Sequence, residues 1–265
     1  MNLNKKRSEN IMQISISTYS FRDLIRQFWS FNQIGDKLNE LNVKFVEINN
    51  SFTNPNGLIK ICDMFREKGI NPILLTIDGN NYFQKSDKNR KEQFEWMKKW
   101  IDAAKNSNIN MIRANMGHQK LTRNFNKPLR KITHTFKPIL DYCEKNEIVH
   151  TFENHGGISA NIEFQILFAN QFNSKYFGYL LDTGNYNPKS LIYENIKKLG
   201  KLIKIVHAKM YNFDENGFES TLDYNKIIQL LKEINYDGYL SIEFEGSLSP
   251  IEGIEKSVAL LRKLI

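Results

Sequence analysis

Two cysteines, six prolines and five histidines among 265 residues leave several architectures without their parts. Cys62 and Cys143 stand far apart and form no C-x-x-C pair, which argues against a disulfide scaffold or a cysteine-built zinc site and fits a reducing compartment. No apolar run is long enough for a membrane span, and the stretch from Ile11 is too short and too mixed for the core of a signal peptide. The chain has no Pro-rich or Gly/Ser-rich linker and no low-complexity tract. It also lacks a G-x-G-x-x-G turn after its first apolar run and a G-x-x-x-x-G-K phosphate loop. The expectation is one cytoplasmic domain without a dinucleotide or Walker-type nucleotide site.

What is present is an ordinary globular composition, 41% hydrophobic and 12% aromatic, enough for a large core. Lys and Arg outnumber Asp and Glu by 37 to 29, a net charge of +8. Such an excess can attract nucleic acid, membrane or acidic metabolites. Many of the lysines, however, fall in stretches such as "KNRKEQFEWMKKW", which read as solvated helix faces.

Eight short apolar or β-branched runs punctuate the chain: "QISISTY" from Gln13, "KFVEI" from Lys44, "PILLTI" from Pro72, "NMIRAN" from Asn110, "IVHTFENH" from Ile148, "YFGYLLDTGN" from Tyr176, "LIKIVHAKM" from Leu202 and "YLSIEFEG" from Tyr239. Between them apolar residues recur at helical spacing, as in Leu129, Ile132, Phe136, Ile139 and Cys143. Ser159 and Asp223 stand where two of these helices could be capped. Strand starts separated by roughly 25–40 residues match β-loop-α-loop units. The expected fold is α/β, a single-domain (β/α)8 TIM barrel over residues 12–265, preceded by a loose arm over residues 1–11.

In such a barrel the strand ends at the C-terminal mouth carry the chemistry. Four consecutive strands end in polar residues: Glu153-Asn154-His155, Asp182-Thr183-Gly184-Asn185, His207-Ala208-Lys209 and Glu243-Phe244-Glu245. Alternation puts Thr151, Glu153 and His155 on one side of their strand, Ile205, His207 and Lys209 on one side of the next but one, and Ser241, Glu243 and Glu245 on one side of the last. A buried carboxylate costs several kcal/mol unless neutralised, and a cation shared by three carboxylates and an imidazole removes that cost. Oxygen ligands with one imidazole and no thiolate favour Mn²⁺ or Mg²⁺, with Co²⁺ and Zn²⁺ left open. Each residue alone has a plainer reading, as an ion pair, a strand-end cap or a core histidine; their joint placement on four strands makes the case.

The segments "FENHGG", "LLDTGNYNP", "VHAKMYNFDENG" and "INYDGYLSIEFEG", with "ISTYSFRDL" at the first strand, resemble the xylose-isomerase-like sugar phosphate isomerase/epimerase family of barrels. The resemblance implies one divalent metal ion held by Glu153, Asp182, His207 and Glu243. It further implies that Glu153 and Glu243 move a proton on and off the carbon beside a carbonyl of a sugar or keto-sugar substrate. Asn185 stands where some ketose epimerases of the family carry a histidine, and it cannot shuttle a proton at neutral pH. The same metal site also serves inosose-type dehydratases and lyases or hydrolases of keto-glycosides, so these remain alternatives.

Around this set, His155, Asn185, Lys209, Glu47 and Asn115 are expected to contact substrate, with Arg113 as a further lining residue. Glu245 is expected to pair with a lysine, and Tyr19 and Phe21 to pack in the core. An apurinic-site endonuclease would need a histidine-rich zinc cluster, whereas only His207 and His155 lie near the mouth. Nucleic acid and membrane are therefore disfavoured as partners. A non-catalytic sugar-binding barrel and a homo-oligomer both stay open.

Overall fold

The computed structural model describes residues 12–265, so the expected arm over residues 1–11 lies outside the described residues. Eight strands pair in parallel and in sequence order, the last closing on the first. They are β1 Gln13–Ser17, β2 Phe45–Asn49, β3 Asn71–Ile77, β4 Met111–Ala114, β5 Val149–Glu153, β6 Phe177–Asp182, β7 Ile203–Met210 and β8 Tyr239–Phe244. The helices among the described residues are α1 Arg22–Arg26, α2 Phe31–Glu40, α3 Leu58–Glu67, α4 Asp87–Asn106, α5 Asn126–Asn146, α6 Ile162–Ala169, α7 Leu191–Leu199, α8 Tyr224–Glu233 and α9 Pro250–Leu264.

The apolar stripe of α5 faces the strands: Ile132, Phe136, Ile139 and Cys143 are fully buried, as their spacing demands. Asp223 caps α8 by accepting a hydrogen bond from the Lys226 N–H. The cap expected from Ser159 falls instead to Asn161, whose side chain accepts from the Phe164 N–H. Ser159 is used earlier, in a short turn after β5, where its hydroxyl accepts from the His155 N–H and donates to the Gly156 carbonyl.

The apolar residues divide into two bodies. The larger fills the space between strands and helices and contains the aromatic cluster of Phe136, Phe152, Phe168 and Phe177. The smaller lies toward the strand starts: Ile73, Leu74, Leu180 and Ile205, with Phe45, Met111 and Tyr239 against them. Above this group the interior turns polar, with Ser15, Ser17, Glu47, Thr76, Arg113, Thr151, His207 and Ser241 all buried. Two register shifts set the alignment of these layers. One, between Tyr179 and Leu180 on β6, leaves Lys204 of β7 unpaired and brings Asp182 level with His207; the other, between Val46 and Glu47 on β2, sets Glu47 beside Leu74 of β3.

Candidate metal centre

The last turn of polar residues in the barrel comes from β5 to β8. One donor atom from each of Glu153, Asp182, His207 and Glu243 lies within 4.8 Å of the other three. His207 Nδ1 is 3.5 Å from Glu243 Oε2, 3.7 Å from Asp182 Oδ2 and 4.0 Å from Glu153 Oε1. All four residues are buried, Glu243 the most exposed at 5%. Strand parity accounts for the gathering: Asp182 and His207 are lateral partners, as are Lys209 and Glu243, and lateral partners in a parallel sheet face the same way.

Three carboxylates this close and this dry repel one another, and two buried cations answer them. Arg113 on β4 places Nε 3.0 Å from Glu153 Oε2 and Nη1 2.6 Å from Asp78 Oδ1. Lys209 directs its ammonium to Glu243 Oε2, to Asp182 Oδ2 at 3.2 Å and to Glu245 Oε1 at 3.4 Å. Even so, His207 Nδ1 is buried and takes no hydrogen bond, and Asp182 Oδ2 has only the ammonium of Lys209 at 3.2 Å. Buried polar atoms normally find a partner. These two atoms, grouped within 4.8 Å of one another with an oxygen of Glu153 and one of Glu243, fit a divalent cation with oxygen and nitrogen ligands.

Burial pushes the Glu153 carboxyl up, but the Arg113 guanidinium, His155 and His207 together outweigh it and hold that carboxyl below the usual range. Burial keeps the Asp182 carboxyl raised, against the pull of Lys209. Burial would lower the His207 imidazole, yet the charges of Glu47 and Glu243 overcome it and lift it well above its ordinary value.

The other expected site residues divide. Asn185 donates from Nδ2 to Glu153 Oε1 at 3.0 Å, and His155, its side chain 54% exposed, holds Nδ1 3.4 Å from the same oxygen. The two glycines that follow make this approach workable: Gly156 and Gly157 have φ of 78° and 56°, and a Cβ on Gly157 would meet the Gln119 carbonyl oxygen at 2.6 Å. Asn115 donates to Asp78 Oδ1 at 3.0 Å on the half-buried rim. Lys209 does not reach for the opening, because the carboxylates at its side draw the ammonium inward. Glu47 does not line the opening either: it lies fully buried, its oxygens taken by Ser17, Ser241 and His207. Phe21 is buried in the core while Tyr19 is half-buried, its ring under the Arg22 guanidinium.

Sequence reasoning missed the Asp78–Arg113–Glu153 chain as a unit. Its signal was an arginine inside an otherwise apolar strand, one strand away from a buried glutamate. His150, which faces away from the barrel interior, accepts or donates at 2.7 Å with the Tyr82 hydroxyl and takes no part in the cluster.

A closed parallel barrel of eight strands with an acid-rich cluster at its C-terminal mouth defines the chain as a TIM barrel, with its candidate site on the face where that class carries its active sites. The chain belongs to the xylose isomerase-like TIM barrel family, which it matches over residues 36–264. It is similar in structure to a 3-keto-D-glucoside 4-epimerase from E. coli, at a TM-score of 0.77 and 14% identity, covering 95% of this chain and 99% of that one. It is also similar to a probable 3-DHS dehydratase from Bacillus anthracis, at a TM-score of 0.75 and 15% identity over 95% and 99% of the two chains. In sequence, 67 residues are 39% identical to the C-glycoside deglycosidase alpha subunit of Arthrobacter globiformis, covering 23% of this chain and 19% of that protein. The chain thus matches about a fifth of that curated relative's length.

Proposed function

We propose that the protein is a divalent-metal-dependent isomerase or epimerase of a sugar or keto sugar. The observation that carries this reading is the grouping of one ligand atom from each of Glu153, Asp182, His207 and Glu243 within 4.8 Å of one another, with His207 Nδ1 buried and without a hydrogen bond. These four residues would hold the ion, Mn²⁺ or Mg²⁺ by the hardness of their oxygens. A bound divalent cation supplies Lewis-acid polarisation of the substrate's carbonyl. Glu153 and Glu243, arriving from β5 and β8, act as the proton-transfer pair. One takes the proton from the carbon beside the carbonyl, and the other returns one to the opposite face of the planar enediolate or to the neighbouring carbon. Asn185, His155 and Asn115 would orient substrate hydroxyls.

The charge balance supports an uncharged substrate. Arg113 and Lys209, the cations buried at the mouth, are each engaged by two or more carboxylates, so neither is free to receive a phosphate. A second reading, carbon–oxygen or carbon–carbon cleavage of a keto-glycoside on the same site, is favoured by the 39% identity to the C-glycoside deglycosidase alpha subunit. Both begin with loss of a proton next to a carbonyl.

The test is incubation with a panel of neutral keto sugars and keto-glycosides in deuterated water with Mn²⁺, read by mass spectrometry. Uptake of one deuterium into an intact sugar skeleton, abolished by a chelator and restored by Mn²⁺, is the expected result. Release of an aglycone would select the cleavage reading. Exchange that persists in full after chelation would refute the metal dependence.

A further inference from the structure

The carboxylate of Glu47 is the most completely enclosed charge that the proposed chemistry leaves unused. It sits mid-strand on β2, fully buried, across the barrel from β7. Three donors from three different strands fix it. The Ser17 hydroxyl of β1 donates to Oε1 at 2.7 Å, the Ser241 hydroxyl of β8 donates to Oε2 at 2.8 Å, and His207 Nε2 lies 2.8 Å from that same Oε2. A carboxylate is acceptor-only, so the proton in the last contact belongs to the imidazole nitrogen Nε2.

We propose that Glu47 is the positioning residue of the candidate metal centre. By holding Nε2–H of His207 it fixes the ring's orientation and leaves Nδ1, which faces Asp182, Glu243 and Glu153, as the nitrogen that would give up its proton to a bound cation. A free imidazole can place its proton on either nitrogen; a carboxylate anchored on one side selects one arrangement and increases the basicity of the other nitrogen. The anchoring is itself built in, since the two serines restrain the carboxylate on both oxygens. The 3.5–4.0 Å distances from Nδ1 to the three carboxylates follow from this orientation. A ring turned over would lose the hydrogen bond and leave a buried carboxylate short of a donor.

The inference rests on the metal-site reading, and the experiment separates the two. Mn²⁺ binding is measured by electron paramagnetic resonance of the free ion on the wild type, Glu47→Gln, His207→Gln and the double variant, with circular dichroism as the control for folding. The wild type should bind one Mn²⁺ per chain. Glu47→Gln, isosteric but uncharged, should bind it about 10- to 100-fold more weakly while staying folded. In the His207→Gln background the same change should alter affinity less than about twofold, because an effect transmitted through His207 vanishes with it. A merely structural glutamate would lower thermal stability without this non-additivity.

Affinity within twofold of wild type in a folded Glu47→Gln protein, or an undiminished loss in the His207→Gln background, would overturn the positioning role. If Glu47→Gln fails to fold, Ser241→Ala reads the same coupling: severalfold weaker binding alone, and no change on top of His207→Gln. A wild type that binds no Mn²⁺ refutes the metal centre itself, and the positioning role with it.

Discussion

Glu153→Gln and Glu243→Gln should each stop interconversion of substrate and product, by about 10²- to 10⁴-fold, the usual contribution of a proton-transferring side chain. Glutamine keeps the volume and one oxygen acceptor in a site where neither residue is more than 5% exposed, so the shape of the site is kept while the proton acceptor and one charge facing the ion are lost. The two losses should not look alike. If each carboxylate serves one face of the carbon, Glu153→Gln should still exchange solvent deuterium into one epimer and Glu243→Gln into the other. The double variant should exchange neither. Mass spectrometry of both epimers after incubation in deuterated water reads this directly. Wild-type interconversion in either single variant removes that residue from the chemistry, and loss of exchange in the same epimer for both reduces the mechanism to one base.

The second large effect concerns stability. Arg113→Met should destabilise the metal-free protein by about 3–5 kcal/mol, the cost of removing one partner from a buried ion pair. Arg113 and Glu153 have side chains only 4% and 1% exposed, and the guanidinium also holds Asp78 on the rim, so its loss strands one buried carboxylate and frees another. A divalent cation would take over part of Arg113's work on Glu153. Urea unfolding should therefore show a smaller deficit with saturating Mn²⁺ than without it. An Arg113→Met protein as stable as wild type in the metal-free state would show that solvent or Lys209 already compensates Glu153.

Much of this architecture is legible in the amino-acid order because its signals are local. The eight strands announce themselves as short apolar runs at regular spacing, and the stripe on α5 runs through the residues that periodicity selects. Alternation within a strand sufficed to put Glu153, His207 and Glu243 on inward faces, since it needs no knowledge of neighbours. What alternation cannot reveal is height across strands. The register shifts at Val46/Glu47 and Tyr179/Leu180 decide which residues are level, and nothing local marks them.

That is why Glu47 reads in the sequence as a lining residue at a strand end, yet lies beneath the cluster against His207. It is also why Lys209 reads as a hand extended to substrate, whereas its lateral partner Glu243 and its neighbour Asp182 bend it inward. Ser159 misled for a related reason: a hydroxyl before a helical stretch is a good cap, but the intervening turn claims it for His155 and Gly156.

The account stands on one shared cation, and diffraction at a wavelength that excites manganese tests it most directly. Crystals grown with Mn²⁺ should show a single strong anomalous peak at the barrel mouth, about 2.1 Å from an oxygen of each of Glu153, Asp182 and Glu243, taking the distance of a small octahedral dication as the guide, and similarly close to His207 Nδ1. A map with no peak there, or with the ion bound elsewhere while Lys209 keeps its place among the carboxylates, would contradict it.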